Sequence, residues 1–217
     1  MIKKINNAII YGCGDMGIQT YNILKHNPSV HIIGFLDDNK TNSSFLNLPV
    51  LGDLNNIDDI KEAHDITHGI VTIGDNKIRR QKTEELINKG LKILTAIHPQ
   101  SFTDNVTEIG YGTIVEMGAF IHPETTVGRG CFICSGSIIA HNSTVNDYAL
   151  IAGGVVFGSR VIIGSQSLIG VGANISPYVS IGENVIVGTG AAVITNLPDN
   201  VIVAGVPAKV LRNNPNV

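Results

Sequence analysis

His141 is the one ring in the stretch SIIAHNSTVND, residues 137–147, where isoleucines and small residues surround it. Imidazole titrates near neutral pH, so a histidine held against a reacting group can take up a proton and return it. The next residue, Asn142, carries an amide that can orient an imidazole but adds no charge to stabilise an imidazolium. A second chemical signal is YGCGDMG, which satisfies G-x-G-x-x-G through Gly12, Gly14 and Gly17; Asp37 follows 20 residues after Gly17. Free N–H groups where such a loop opens a helix attract a diphosphate, and an acid at that spacing can hold a ribose. Taken alone, the loop reads as an NAD site; a tight turn that binds nothing is the other reading. Cys13, Cys131 and Cys134 cannot all pair with one another. Cys131 and Cys134 form a C-x-x-C with no second Cys/His pair at zinc spacing, so all three read as reduced thiols.

The elements that must position these residues follow two different periods. In the first half, NNAIIYG reads as a buried strand, DMGIQTYNILKHN as a helix, VHIIGFLDD and ITHGIVTIGD as strands, NKIRRQKTEELINKG as an amphipathic helix closed by Gly90, and LKILTAI as a last strand. Strand and helix in alternation predict right-handed βαβ units on a parallel sheet. This region, residues 1–97, is about half the size of a full dinucleotide-binding domain, which leaves no room for the second mononucleotide half an NAD site uses. It is an α/β half-Rossmann domain in which the glycine loop is suited to the diphosphate of any nucleotide.

Residues 98–217 obey a period of six. Every sixth residue from Ile109 to Val193 is bulky and apolar, and the position four further on, from Thr113 to Ala191, is small or β-branched. Glycine often follows the bulky residue, as at Gly110, Gly128, Gly164 and Gly182. Period six fits neither an α-helix nor a simple strand; it fits a parallel β-helix of hexapeptides, three to a triangular coil, in which residues 18 apart stack. His141 then falls near a corner, with Ser159 and Pro177 above it. For an isolated histidine there, a solvated surface role is the plain reading.

The chain has 217 residues, a formal net charge of −3, 24 glycines and no tryptophan, so no basic face recommends nucleic acid as a partner. No stretch is apolar enough to span a bilayer, and MIKKINNAIIYG lacks a signal-peptide run, so no membrane partner and a cytoplasmic location are expected.

The pieces IIYGCGDMG, GFLDD, VTIGDNKIRR, IHPQSF, IIAHNSTV and VAGVPAKVLR, together with the repeat, resemble the hexapeptide-repeat nucleotide-sugar N-acetyltransferases of bacteria. These include the enzymes that acetylate the 4-amino group in the bacillosamine, perosamine and viosamine pathways; sialic acid O-acetyltransferases are relatives. The resemblance implies a left-handed β-helix, a homotrimer, acetyl-CoA in a groove between neighbouring β-helices, and the nucleotide of an amino sugar on the N-terminal domain. It casts His141 as general base, with Asn142 where relatives commonly carry Glu or Asp. Either a less basic His141 or a carboxylate reaching it from elsewhere is then expected, and Asp147 is the candidate for the latter. Leu150 stands where some relatives have another histidine. Gly12, Gly14, Asp15 and Met16 are implied to lie against the nucleotide-sugar, Asp37, Asp38 and Gly74 against its base or ribose, and Asn76 nearby. "DD" at a strand end also has a purely structural reading. Val171 and Thr189 are implied to touch the coenzyme, with Gly153 stacked 18 residues before Val171 in the same column; all three also read as plain corner residues. Lys209 or Arg212 is suited to a CoA phosphate or reads as a solvated terminal charge.

The expected activity is acetyl-CoA-dependent N-acetylation of a nucleotide-linked 4-amino-4,6-dideoxy sugar for surface polysaccharide synthesis. Its rivals are sugar O-acetylation, a non-catalytic nucleotide-sugar-binding scaffold, and NAD-dependent redox chemistry. No metal is expected. His98, His122 and His141 are 24 and 19 residues apart, which does not resemble the zinc-binding pattern of a γ-class carbonic anhydrase, and His98 and His122 read as structural.

Overall fold

The computed structural model describes residues 5–40, 43–104 and 107–215 and falls into two compact units, Met1–Ala96 and Ile97–Val217. The first unit runs β1 (Asn6–Tyr11), α1 (Asp15–Leu24), β2 (Val30–Leu36), β3 (Ser44–Phe45), β4 (Leu48–Gly52), α2 (Ile57–His64), β5 (His68–Val71), α3 (Asn76–Asn88) and β6 (Lys92–Ile93). The sheet order is β3-β4-β2-β1-β5-β6, and every pairing is parallel except the β3–β4 hairpin. β1 is the central strand: Ala8 to Tyr11 are fully or almost fully buried, as an unbroken apolar run in a covered parallel sheet must be. Its C-terminal end lies between those of β2 and β5, where the chain changes direction across the sheet, the place at which open α/β sheets bind ligands.

Two features of this unit are invisible in the periodicity. The β3–β4 hairpin and α2 are short, and α2 is preceded by a 3-10 turn over Leu54–Asn56 in which Asp53 accepts the Asn55 N–H at 2.7 Å and its own N–H donates to Asn56 Oδ1 at 3.0 Å. LKILTAI is not one strand. Leu94 N–H still donates to Gly69 O at 2.9 Å, while His98 N–H donates to Val115 O at 2.9 Å within the second unit.

The second unit is a left-handed parallel β-helix. Two-residue strands stack into three parallel sheets with a constant register of 18, for example Ile114–Phe132–Leu150–Leu168–Ile186. The sixth-residue column fills the axis; Ile121, Val127, Ile133, Ile139, Val145 and Ile151 are all at most 1 % exposed. Small polar residues of the second column bond between coils: Thr113 Oγ1 donates to Gly128 O at 2.7 Å and accepts the Cys131 N–H at 3.0 Å. A side chain on Gly110 would strike the backbone of the next coil, with Arg129 N 2.5 Å from the added carbon. At each corner, every sixth residue from Gly112 to Gly190 has φ between 52° and 75°. The strand Val201–Ala204 extends the stack beyond Ile186–Val187, and Lys209–Asn213 closes it in antiparallel pairing.

Candidate active site

The first unit gathers its chemical residues at the C-terminal ends of β1, β2 and β5. Gly12 has φ 117°, and a side chain there would meet Thr72 Oγ1 at 2.8 Å. Thr72 clamps the loop by donating toward Tyr11 O and Gly12 O, 3.0 and 3.1 Å away. A side chain on Gly17 would collide with Gly12 O, so this glycine lets α1 start directly on the loop. Gly14 is the N-cap of α1 and no side chain caps it, which leaves first-turn N–H groups for an anion. Nothing lies within 4 Å of a carbon added at Gly14, so this glycine faces open space.

Asp37 and Asp38 sit immediately after β2. Asp37 accepts the Cys13 N–H at 2.9 Å and the Asn39 N–H at 3.0 Å, tying the β1 and β2 loops together. Asp38 accepts the Tyr11 hydroxyl and pairs with Lys82 Nζ at 3.3 Å. Burial, then the Asp38 carboxylate, pushes the Tyr11 hydroxyl above its ordinary range, so Tyr11 stays a donor. Lys40 Nζ donates to Cys13 O at 2.8 Å. From the third strand end, Gly74 lies against Met16, whose Sδ and Cε would be 3.7 Å from a carbon added at Gly74. The buried Arg79 guanidinium holds this loop through Ile73 O (2.9 Å), Gly74 O (3.3 Å) and Asn76 Oδ1 (2.7 Å). Gly12, Gly14, Asp15, Met16, Asp37, Asp38, Gly74 and Asn76 thus share one rim. Sequence reasoning missed Thr72, Lys82 and Arg79, whose partners are set by strand order.

In the β-helix, His141 is exposed at a corner. Its Nδ1 lies 3.0 Å from Asn142 Oδ1 and its Nε2 2.9 Å from Ser159 Oγ, one coil above. Asn142 Nδ2 donates to Glu124 Oε2 at 2.5 Å, one coil below. The carboxylate near His141 is therefore Glu124. Asp147 is ruled out as its support: it is engaged by Arg129, whose Nε is 2.7 Å and whose N–H is 3.0 Å from its two oxygens. Glu124 was available to arithmetic, since it precedes Asn142 by one coil of 18. His122 belongs to the same cluster, its ring centroid 6.5 Å from that of His141 and 4.7 Å from Phe120. His98 Nδ1 accepts the Gln100 N–H at 3.0 Å.

Another corner carries glycine at every coil: Gly118, Gly136, Gly154, Gly172 and Gly190. Gly153, Val171 and Thr189 each precede one of these. A carbon added at Gly136, Gly154, Gly172 or Gly190 would meet nothing within 4 Å. The same turn position elsewhere holds Asn142, Tyr148, Arg160 and Gln166, so the turn itself does not demand glycine. The bare corner exposes a backbone ladder in which Gly154, Gly172 and Gly190 N–H donate to Ser135, Gly153 and Val171 O at 2.8–3.1 Å. Lys209 is exposed in the closing strand, paired with Ala204. Leu150 is almost buried beside Phe132 and Leu168. Among the described residues no group of three His, Cys, Asp or Glu could hold a metal ion, and no helix is long and apolar enough to cross a membrane.

An α/β unit with an uncapped glycine loop, joined to a left-handed hexapeptide β-helix with an accessible corner histidine, is the architecture of the hexapeptide-repeat acyltransferases that the chain matches. Residues 7–86 match the PglD N-terminal domain family. The perosamine N-acetyltransferase of Caulobacter crescentus is similar at 28% identity over 95% of this chain and 97% of that one, with a TM-score of 0.89. Its structures hold CoA and GDP-perosamine, and two are variants with one histidine replaced. The acetyltransferase domain of PglB from Neisseria gonorrhoeae, in complex with acetyl coenzyme A, is similar at 27% identity over 95% of this chain and 100% of that one, TM-score 0.89. WeeI from Acinetobacter baumannii shares the fold at 22% identity over 94% of this chain and 99% of that one, TM-score 0.77. No curated protein matches the chain by sequence. The protein is an acyltransferase, and it is similar over nearly its whole length to the hexapeptide-repeat nucleotide-sugar acetyltransferases.

Proposed function

We propose that the protein transfers the acetyl group of acetyl-CoA to the amino group of a nucleotide-linked 4-amino-4,6-dideoxy sugar, for surface glycan synthesis, with His141 as general base. The observation that carries this reading is the His141 ring, accessible at a corner and secured on Nδ1 by Asn142, with only a hydroxyl on Nε2. As the sugar amine attacks the thioester carbonyl, a C–N bond forms and the C–S bond breaks. Nε2 takes the proton the amine loses and returns it to the departing thiolate. The perosamine and PglB relatives, whose structures hold CoA or acetyl-CoA, support acetyl-CoA as donor.

The glycine corner suits the coenzyme's pantetheine arm, because it offers backbone groups with no side chain to shield them; Gly153, Val171 and Thr189 would line it and Lys209 would meet a phosphate. The β1, β2 and β5 loops would hold the nucleotide, its diphosphate on the α1 N-terminus and its ribose or base near Asp37 and Asp38. A homotrimer completes the site. Phe102, Phe120, Ile138 and Val156 form an outward apolar column, 37–45 % exposed, on the sheet that leads into the His141 corner. A second copy on this column would cover the histidine and exclude water from it.

The test is thiol release from acetyl-CoA with GDP-, UDP- and dTDP-linked 4-amino-4,6-dideoxy sugars and their 4-hydroxy counterparts. Amine acceptors alone should turn over, and His141→Ala should lower kcat by roughly 10²–10⁴. Nearly full rate in the variant would end the general-base role. Turnover of the hydroxyl series alone would make the reaction O-acetylation. Nucleotide-sugar binding by calorimetry without any acetyl-CoA binding would make the protein a scaffold.

A further inference from the structure

We infer that Glu124, acting through Asn142, fixes the tautomer of His141, so that a carboxylate one coil away does the work of one beside the histidine. The inference rests on the general-base reading of His141. A carboxylate only accepts hydrogen bonds, so the group Asn142 turns toward Glu124 Oε2, 2.5 Å away, is its NH₂. The amide carbonyl then faces His141 Nδ1 at 3.0 Å, and a carbonyl can meet only an N–H. The proton of the neutral ring is therefore on Nδ1, and the Nε2 lone pair faces Ser159 Oγ, whose hydroxyl donates to it at 2.9 Å. This is the tautomer a base acting through Nε2 requires. Free histidine in water favours the other one.

The relay spans three coils and uses the solenoid's own register. Glu124 and Asn142 are 18 residues apart, as are His141 and Ser159. Glu124 and Asn142 both occupy the left-handed corner position, at φ 58° in each, which stacks their side chains on one edge. His122 from the coil below and Arg160 from the coil above are the ionisable neighbours of His141 in the adjoining coils among the described residues; the Arg160 backbone N–H donates to His141 O at 3.1 Å, and its guanidinium lies over Tyr178, 5.6 Å from the ring centroid. Neither is placed to hold the Nδ1 proton. Ser159 and Glu124 are positioning residues, and His141 is the one that would meet the reacting amine.

The decisive substitution is Glu124→Gln. Glutamine is accommodated in this backbone conformation, as Gln166 shows at φ 59° in the same turn position of another corner. A glutamine amide can present either end to Asn142, so the Asn142 amide is free to turn over and offer its NH₂ to Nδ1, which favours a proton on Nε2. The experiment labels the histidines of the full-length protein with ¹⁵N and reads the His141 tautomer by NMR, assigned with His141→Ala. In parallel it measures kcat and KM with acetyl-CoA and the nucleotide-linked amino sugar turned over fastest in the panel above. The wild type should carry the proton on Nδ1. Glu124→Gln should move it to Nε2 and lower kcat about 10-fold or more at unchanged KM, since an imidazole in the wrong tautomer is a poor base.

The double variant Glu124→Gln with Asn142→Asp is the rescue. The glutamine amide can donate to the new carboxylate, and that carboxylate can only accept, so it faces a protonated Nδ1. The tautomer and most of kcat should return. Asn142→Asp alone sets two carboxylates against each other and should recover less. An Nε2–H ring in the wild type, or a tautomer indifferent to Glu124→Gln, would overturn the relay. The two readings fail separately: if Glu124→Gln moves the proton but kcat stays, the relay stands and His141 is not the base. If His141→Ala abolishes turnover while Glu124→Gln leaves the tautomer untouched, His141 is the base and the relay is wrong.

Discussion

In the α/β unit, Tyr11 meets Asp38 across 27 residues and Thr72 meets Tyr11 across 61; in the solenoid, Asn142 meets Glu124 and His141 meets Ser159 across 18 each. The first set of separations follows from strand order and loop length. The second is a property of the coil, the same wherever it is taken. A site in the α/β unit thus depends on the whole sheet being assembled. A site on the solenoid depends on its own coil and the two neighbours, because each coil contacts little else. The difference gives the two candidate sites different sensitivities to damage.

The strongest way to break this contrast is to hollow the solenoid. Ile139 is fully buried on the axis of the coil that carries His141. Ile139→Ala should destabilise by about 2–5 kcal/mol, the transfer loss plus the cavity. Hydrogen exchange should show lost protection in the coils holding Ile121 and Phe157 and little change at β1. Equal loss in both units would mean that they unfold as one, and the solenoid's independence would be an illusion of geometry.

A smaller effect comes from the glycines of the two sites. Gly17→Ala sets a Cβ against the backbone oxygen of Gly12, which only movement of α1 can relieve. Overpacking of this kind costs about 1–3 kcal/mol, and nucleotide affinity should fall with it. Gly14→Ala meets nothing and has an extended backbone at φ −108°, so it should leave thermal stability almost unchanged. At the bare corner, Gly172 has φ 67° and open space around it. Gly172→Ala should cost about 1 kcal/mol of left-handed strain and raise KM for acetyl-CoA while nucleotide-sugar binding, measured by calorimetry, stays as it was. A KM unchanged by Gly172→Ala would remove the coenzyme from that corner.

These cases also show what could be read in advance. The axis column was legible because each coil repeats one steric demand, and only Ile, Val or Phe meets it between Ile109 and Val193. The glycines after that column were legible for a related reason, the close approach of the next coil. The left-handed corner position was not. It is filled by Gly, Glu, Asn, Tyr, Arg and Gln, and no residue type marks it. Glu124 hid there, although its distance from Asn142 was a multiple already known. In the α/β unit, the glycine loop and the aspartate pair stood out because turns and strand ends select those residues. Thr72 and Arg79 did not, because a threonine after a strand and an arginine in an amphipathic helix carry no sign of their partners. Arg79 points into the unit to bind the Ile73 and Gly74 carbonyls, whereas helix periodicity would turn its charge outward.

The mildest probe of the contrast is thiol chemistry, which leaves the fold intact. Cys13 lies in the glycine loop and Cys134 in the solenoid, and neither is bonded to another cysteine. Burial, followed by the Asp37 carboxylate, pushes the Cys13 thiol from 9.0 up to about 11, against an opposing pull from Lys40. Two pH units mean about 100-fold less thiolate at pH 8, and the thiolate is the species that alkylates. Iodoacetamide followed by peptide mass mapping should therefore label the half-exposed Cys134 well before Cys13. The Cys13 rate should rise about tenfold per pH unit up to about 11, because the neutral form prevails below that value. Asp37→Asn removes one of the causes and should speed Cys13 labelling modestly, leaving Cys134 unchanged. If Cys13 reacted as fast as Cys134 at pH 8, the Cys13–Asp37 and Cys13–Lys40 contacts would not persist in solution. The glycine loop would then not be fixed by the surrounding strands, and the α/β unit would share the solenoid's local character.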